Sequence, residues 1–300
     1  MSTVPYELWR KALIIWEKED GKIGRHRLAK LLQIPESLAR NILFALRNRD
    51  FLSLKVEEQC DLNDEEIELI LSDLHIPFHD KLAVELVFDY LEKERIEPTI
   101  ITILGDLVDF YKISDFVHNP TSEGIGEELE IAREFLVDLR SRYPNARIIY
   151  YEGNHEQRLN RYVVKNAKEI YELVEDLIEV KLGLENLNIE YVTKPFRIGR
   201  LWHLHGHEKV RGGYNPEYIT NVIWKYVHDN FIVGHFHRNQ EKVFKNIAGD
   251  LYWGGAVGHL ATTFEYAILN NWTQGFCVVK YDSDGRFKAN VKTIHEGIIF

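Results

Sequence analysis

The chain predicts an α/β protein, a layered sandwich of strands and helices preceded by a small, mostly helical module. From about residue 67, apolar strand-like runs alternate with amphipathic helical stretches. Beyond Gly183 the helices give way to short strands, and strand–helix alternation that turns into all-β is the pattern of a layered α/β sandwich. Charge divides the chain in the same place. Residues 1–50 hold ten Lys and Arg against six Asp and Glu, and the remainder holds 27 against 41, within an overall balance of −10. That asymmetry suggests two modules with different partners.

In the first module Leu8, Ala12, Ile15 and Trp16 recur at helical spacing, and Gly21 and Gly24 punctuate the end of that segment. HRLAKLLQIPESLARNILFALRNRD then reads as a short helix, a turn at Gln33, Ile34 and Pro35, and a second helix from Glu36 to about Arg47. Two short helices on a tight turn are the helix-turn-helix arrangement, and FLSLKVEE behind them suits a wing strand. A winged-helix-like domain is therefore expected over 1–57. Arg40, Arg47 and Arg49, on or just after the second helix, suit phosphate contacts along DNA. The other reading is a helical bundle with surface arginines that docks on protein.

The acidic stretch EEQCDLNDEEIE marks the boundary, and the second domain is expected over 64–300. Strands are expected at 67–72, 98–104 and 146–151, with helices at 81–94, about 126–142 and 156–181. Shorter strands follow at 189–193, 200–206 and 231–234, and the tail GFCVVKYDSDGRFKANVKTI reads as a β-hairpin turning at Asp284 and Gly285. Hydrophobic content of 45% and aromatic content of 12% fit a packed soluble protein. No stretch resembles a transmembrane span, and the start carries no signal-peptide pattern. Cys60 and Cys277 lie far apart and form no CxxC, which suits reduced thiols in the cytoplasm.

The chemistry lies at strand ends. ILSDLHIPFHD places Asp73 and His75 two residues apart just past an apolar run, so both side chains reach one point in space. Four more clusters occupy the same kind of position. ITILGDLVDF gives Gly105, Asp106 and Asp109; IIYYEGNHEQR gives Gly153, Asn154, His155, Glu156 and Arg158. LWHLHGHE gives His203, His205 and His207, and FIVGHFHR gives Gly234, His235 and His237. In open α/β sheets the carboxyl ends of the strands border the ligand crevice. Five strand ends bringing Asp, Asn and His to one rim are what a metal centre needs.

DxH, GDxxD, GNHE, HGH and GHxH in that order resemble the calcineurin-like metallophosphoesterase superfamily over roughly residues 67–240. IPFHD, GDLVDFYKISDF, GNHEQRL and a late NWTQGF look closest to a bacterial and phage subgroup. The resemblance implies a four-layer α/β/β/α sandwich and a dinuclear centre. Asp73, His75 and His237 would hold one metal, Asn154, His205 and His235 the other, and Asp106 would bridge them. Imidazole, carboxylate and amide donors without thiolate suit Mn²⁺ first, with Fe, Zn²⁺ or Ni²⁺ also accommodated, better than an all-oxygen Mg²⁺ or Ca²⁺ site. A hydroxide shared by the two metals would attack phosphorus in line. His155 would serve as general acid, held by Asp109.

Further residues carry two readings each. Arg158 suits a phosphate contact or a salt bridge on its helix. Lys209 and Arg211, ahead of Gly212 and Gly213, suit a substrate phosphate or an ordinary solvated loop. His79 and Asp80 suit a cap on the helix that starts near Lys81 or a direct substrate contact; His203 suits a supporting partner of His205 or a packed strand histidine; His207 suits support rather than ligation. Trp253, Phe264, Tyr266 and Trp272 suit core more than a base-stacking platform.

The leading expectation is a phosphodiesterase or nuclease acting on nucleic acid or nucleotides, with DNA reached through the first module and no membrane involved. The acidic catalytic part lacks the basic track of a tight duplex binder. A phosphomonoesterase acting on phosphoprotein or nucleotides is the alternative. GDLVDF lacks the arginine of GDxxDRG enzymes, which speaks against a Ser/Thr protein phosphatase. A DNA-binding regulator with a scaffold phosphoesterase domain is a third reading, opposed by the intact set of ligands.

Overall fold

The computed structural model describes residues 4–5, 8, 11–12, 15–16, 18–19, 22–48, 56–57, 66–114, 124–174, 176–208, 217–262 and 270–300. The chain divides into two compact units, Met1–Cys60 and Asp61–Phe300.

In the first unit β1 (Val4–Pro5) pairs in parallel with β2 (Val56–Glu57), the described part of the expected wing segment. Helix α1 (Arg25–Leu32) stops where Gln33 turns left-handed, φ 55°, and its N–H returns to the Ala29 carbonyl. Helix α2 (Glu36–Asn48) follows. Ala12, Ile23, Leu28, Ala39, Ile42 and Leu46 form this unit's own small core. Glu36 ties the two helix starts together through His26 Nδ1 at 2.6 Å. Arg40 is exposed on α2. Arg49 and the side chain of Arg47 lie outside the described residues.

The second unit holds two sheets. The larger contains β3 (Glu66–Leu71), β4 (Ile100–Ile103), β5 (Arg147–Tyr151) and β6 (Ile189–Val192), all parallel. It is extended beside β3 by antiparallel β12 (Gln274–Tyr281), β13 (Phe287–His295) and β14 (Ile298–Ile299). The smaller sheet runs β10 (Gln240–Lys245), β11 (Leu251–Ala256), β9 (Phe231–Val233), β8 (Leu201–Leu204), β7 (Phe196–Ile198).

Two-residue alternation assigns the layers, because successive strand side chains point to opposite faces. Leu69, Ile101, Ile148 and Phe276 pack with α3 (Lys81–Lys93) and α4 (Ile125–Arg142). Their neighbours Ile70, Ile100, Ile149 and Cys277 face inward with Ile198, Leu201 and Ile232 of the smaller sheet. The outer face of that sheet, Leu204, Phe231 and Val233, packs on α7 (Ile219–Val227). The unit is a four-layer α/β/β/α sandwich, as expected.

One buried carboxylate lies between the sheets. Glu68 accepts from Thr102 Oγ1 at 2.5 Å and Tyr281 OH at 2.6 Å, and His203 Nε2 lies 3.0 Å from it. His203 also stacks on Phe196. It is thus the packed partner of Glu68 rather than a support for His205.

The helix expected over 156–181 is broken into α5 (Glu156–Asn166), a 3₁₀ turn at Lys168–Leu173 and α6 (Leu177–Leu182). Leu159 and Val163 supply the buried stripe of α5, which ends where Ala167 leaves the helical backbone at φ −156° and ψ 51°. Cys277 is buried and unbridged; Cys60 lies outside the described residues. Among the described residues no helix is long and apolar enough to cross a membrane.

Candidate metal centre

Each strand end delivers its cluster to the same edge. Past β3 come Asp73 and His75; past β4, Asp106 and Asp109; past β5, Asn154 and His155. The smaller sheet adds His205 past β8, and His235 and His237 past β9. Asp73, His75, Asp106, His235 and His237 all have positive φ, between 50° and 66°. Non-glycine residues in that region cost roughly 1–3 kcal/mol each and persist only where surroundings over-determine them. Here Asp73 N–H donates to Gly105 O, His75 N–H to Asp106 O, and His235 N–H to Asp73 Oδ2 at 2.9 Å.

Two close approaches need glycine. A Cβ on Gly234 would lie 2.0 Å from Ser72 Oγ and 2.8 Å from Asp73 Oδ2. On Gly153 it would lie 2.1 Å from Asp106 Oδ1.

The side chains converge in two groups. Asp73, His75 and His237 each offer an atom, all within 4.8 Å of one another, and Asp106, His205 and His235 do likewise. In the first group His237 Nε2 lies 3.2 Å from Asp73 Oδ1 and 3.0 Å from His75 Nε2. In the second, His205 Nε2 lies 3.1 Å from Asp106 Oδ2 and 3.2 Å from Asn154 Oδ1. Asp106 also reaches toward the first group, its Oδ2 3.9 Å from His75 Nε2. The outer nitrogens fix the tautomers. His75 Nδ1 is 3.0 Å from Asp109 Oδ2, and His205 Nδ1 is 2.7 Å from the Leu104 carbonyl. With Nδ1 so held, Nε2 is the nitrogen turned inward, and an ion that displaced its proton would meet the lone pair, the arrangement of metal-ligating histidine.

The cluster favours positive charge near its carboxylates. Burial raises the Asp73 carboxyl, but His237, His75 and His205 outweigh it and hold it well below the usual range. Burial likewise opposes charge on His75 and His205, yet the carboxylates push both up to about 10: Asp109, Asp73 and Asp106 act on His75, and Asp106 and Asp73 on His205. His235 is pushed down to about 3 by burial and by His205. Two buried carboxylates, Asp73 and Asp106, facing inward imidazole nitrogens and an amide oxygen form a donor set that fits two divalent ions.

Behind these donors stand carboxylates that accept backbone N–H groups. Glu156, fully buried, takes Asp106 N–H, Leu107 N–H, Val108 N–H and Gly153 N–H, together with Tyr150 OH at 2.6 Å. Glu208 takes His205 N–H and Gly206 N–H, together with Tyr151 OH at 2.7 Å. Glu128 takes Phe110 N–H and Tyr111 N–H. The sequence marked Glu156 only as part of GNHE and gave no role to the other two. Glu208 and Tyr150–Tyr151 border motifs and were findable; Glu128, in the first turn of α4, reads in sequence as an ordinary acidic residue at a helix start.

Asp109 has a wider reach than expected. Its carboxylate meets His75 Nδ1, His155 Nδ1 at 3.3 Å and Arg158 Nη1 at 3.2 Å, and its carbonyl lies 2.9 Å from His155 Nδ1. Arg158 therefore has its salt bridge, and Nη2 abuts His155 Nε2 at 2.9 Å. Asp80, not His79, caps α3, its Oδ1 accepting from Leu82 N–H and Ala83 N–H. His207 packs near His205 and His235. Trp253 packs against the core between the sheets, whereas Trp272 stands edge-on to His237 at 4.4 Å. Lys209, Arg211, Phe264 and Tyr266 lie outside the described residues.

No family model matches the chain, and no curated protein does. Solved structures do. Vps29 of Chaetomium thermophilum aligns at 12% identity and TM-score 0.40, over 78% of this chain and 95% of that one. Nuclease MPE of Pseudomonas putida aligns at 15% and 0.33, over 74% and 87%. Hypothetical protein PH1004 of Pyrococcus horikoshii OT3 aligns at 14% and 0.43, over 75% and 86%. Likenesses this distant carry no conclusion about what this chain does.

Proposed function

We propose that the chain is a metal-dependent phosphoric ester hydrolase that cleaves a phosphodiester in nucleic acid or a nucleotide. The observation that carries the reading is the convergence of seven buried or half-buried Asp, Asn and His side chains from both sheets, with the Nδ1 of His75 and of His205 each engaged by an oxygen on the outer side. Asp73, His75 and His237 would hold one ion and Asn154, His205 and His235 the other, with Asp106 between them. Two divalent ions so held, Mn²⁺ first among them, supply a water of lowered pKa and neutralise phosphoryl oxygens.

The chain's own residues do the rest. His155 would deliver a proton from Nε2 to the leaving oxygen. Its Nδ1 proton is held by Asp109, and its backbone N–H is anchored on Asp106 Oδ1 at 2.9 Å. Arg158 faces that same Nε2. Phosphate that drew the guanidinium toward its own oxygens would leave His155 Nε2 open to take a proton from solvent and pass it to the leaving oxygen. The exposed Arg40 on α2 suits DNA backbone contact by the N-terminal unit.

Hydrolysis of bis-p-nitrophenyl phosphate beside p-nitrophenyl phosphate, with Mn²⁺ and with Asp106→Ala as blank, tests the reading. A diester preference abolished in the variant is expected. A strong monoester preference replaces the diester assignment with phosphatase activity. No turnover of either ester, with metal bound, overturns the hydrolase reading.

A further inference from the structure

His259 belongs to none of the motifs at the strand ends, yet its ring lies 5.1 Å from that of His237 and 5.9 Å from that of Trp272. It sits in Gly258–Thr262, a segment fixed on both sides. Toward the Asp73 loop, Leu260 N–H donates to Asp73 O at 3.1 Å, Asp80 N–H to Leu260 O at 2.8 Å and Thr262 N–H to Phe78 O at 2.8 Å. Toward β12, Gly258 N–H donates to Asn239 Oδ1 at 2.6 Å, His259 N–H to Thr273 O and Gly275 N–H to His259 O. The segment is a rigid wall of the candidate centre rather than a loop draped over it.

Within that wall the tautomer of His259 is set by the backbone. Ala261 N–H donates to His259 Nδ1 at 3.2 Å, so Nδ1 presents its lone pair and Nε2 carries the proton. The residue is only 6% exposed, and among the described residues its Nε2–H meets no acceptor, yet that atom is not one of the fully enclosed orphans, so it opens toward solvent. A neutral N–H donor, held rigid beside a candidate metal ligand and lacking an acceptor, is suited to an oxygen that arrives with the substrate.

Resting on the phosphoesterase reading above, we propose that His259 is a substrate-contacting residue whose Nε2–H donates to a non-bridging phosphoryl oxygen beside His237. The ring adds direction without adding charge. It discriminates a phosphoryl group seated against His237 from an anion bound elsewhere on the rim.

The test uses the full chain loaded with Mn²⁺, as wild type, His259→Ala and His259→Gln. Inorganic phosphate binding is measured by calorimetry, alongside metal content and hydrolysis of bis-p-nitrophenyl phosphate. A hydrogen bond to a charged oxygen corresponds to roughly 10- to 100-fold in affinity. His259→Ala is therefore expected to keep its metals and lose about that factor in phosphate affinity and in kcat/KM. His259→Gln, which retains an N–H donor, is expected to recover part of both. Unchanged phosphate affinity in His259→Ala overturns the proposal, and so does loss of metal in both variants, which makes His259 a support for His237. Because phosphate binding is read without turnover, an inactive wild type that still binds phosphate through His259 defeats the hydrolase reading and leaves this proposal standing. Absence of phosphate binding by the wild type defeats the proposal.

Discussion

Glu156 and Glu208 do one job on opposite sides of the candidate centre, and they do it differently. Tyr150 and Tyr151 are adjacent on β5 and point to opposite faces, so each hydroxyl reaches one of the two carboxylates. Glu156 gathers four backbone N–H groups from the Asp106 and Asn154 loops. Glu208 gathers two, both from the His205 loop. Burial raises both carboxyls. Asp106 pushes Glu156 further, to about 7, while His207 and the Tyr151 hydroxyl outweigh burial and bring Glu208 down. The nearest charged neighbour, a carboxylate for one and an imidazole for the other, sets the two carboxyls in opposite directions.

The largest expected effect comes from Glu156→Gln, which turns an amide NH₂ toward N–H donors that now point at a carboxylate oxygen. A loss of roughly 3 kcal/mol or more in urea denaturation is expected, together with loss of metal from both halves of the centre. A cost under about 1 kcal/mol would mean that the Asp106 loop holds its shape unaided. Glu208→Gln should cost less, roughly 1–2 kcal/mol. Its metal analysis should show one ion lost in preference to the other, because only the His205 loop loosens; equal loss of both would erase the distinction between the two carboxylates. Smaller still, Tyr151→Phe should cost about 1 kcal/mol, and a double-mutant cycle with Glu208→Gln should recover most of it as coupling.

Glu128 extends the comparison to pH. Burial and the Asp109 charge push its carboxyl up to about 8, against the pull of two backbone N–H groups and Arg158. Between about 4.5 and about 8 the folded chain therefore holds a proton that the unfolded chain has shed. Its contribution to stability is complete at the acid end of that window and is lost as pH rises through about 8. Denaturation at pH 6, 7, 8 and 9 should show a downward slope that Glu128→Gln flattens. An unchanged slope in the variant would assign the pH dependence to other groups.

The order of elements and the ligand-bearing motifs were legible because both rest on local signals. Apolar alternation marks the strands, and Asp73, His75, Asp106, Asn154, His205, His235 and His237 sit within a few residues of strand ends. The braces were not, because a glutamate that accepts backbone N–H groups looks in sequence like any surface glutamate. Glu128 lies on α4 among charged neighbours, and only the chain's return past β4 makes it a partner of Phe110 and Tyr111. The break after Asn166 left no mark in the sequence, because the residues on both sides of Ala167 are ordinary helix formers. His259 escaped because its importance lies in its distance from His237, 22 positions earlier in the chain.

The left-handed backbone at Asp73, His75, Asp106, His235 and His237 also limits how this centre can drift. Asparagine, aspartate, histidine and glycine tolerate that conformation, while valine, isoleucine and threonine pay heavily for it. Random mutation at these five codons is therefore filtered twice, first by geometry and then by chemistry. Descendants that lose the candidate centre but keep the fold should carry asparagine or glycine at these positions and hardly ever a branched residue. A copy of this domain without its side-chain cluster would thus keep a readable trace of it in the backbone.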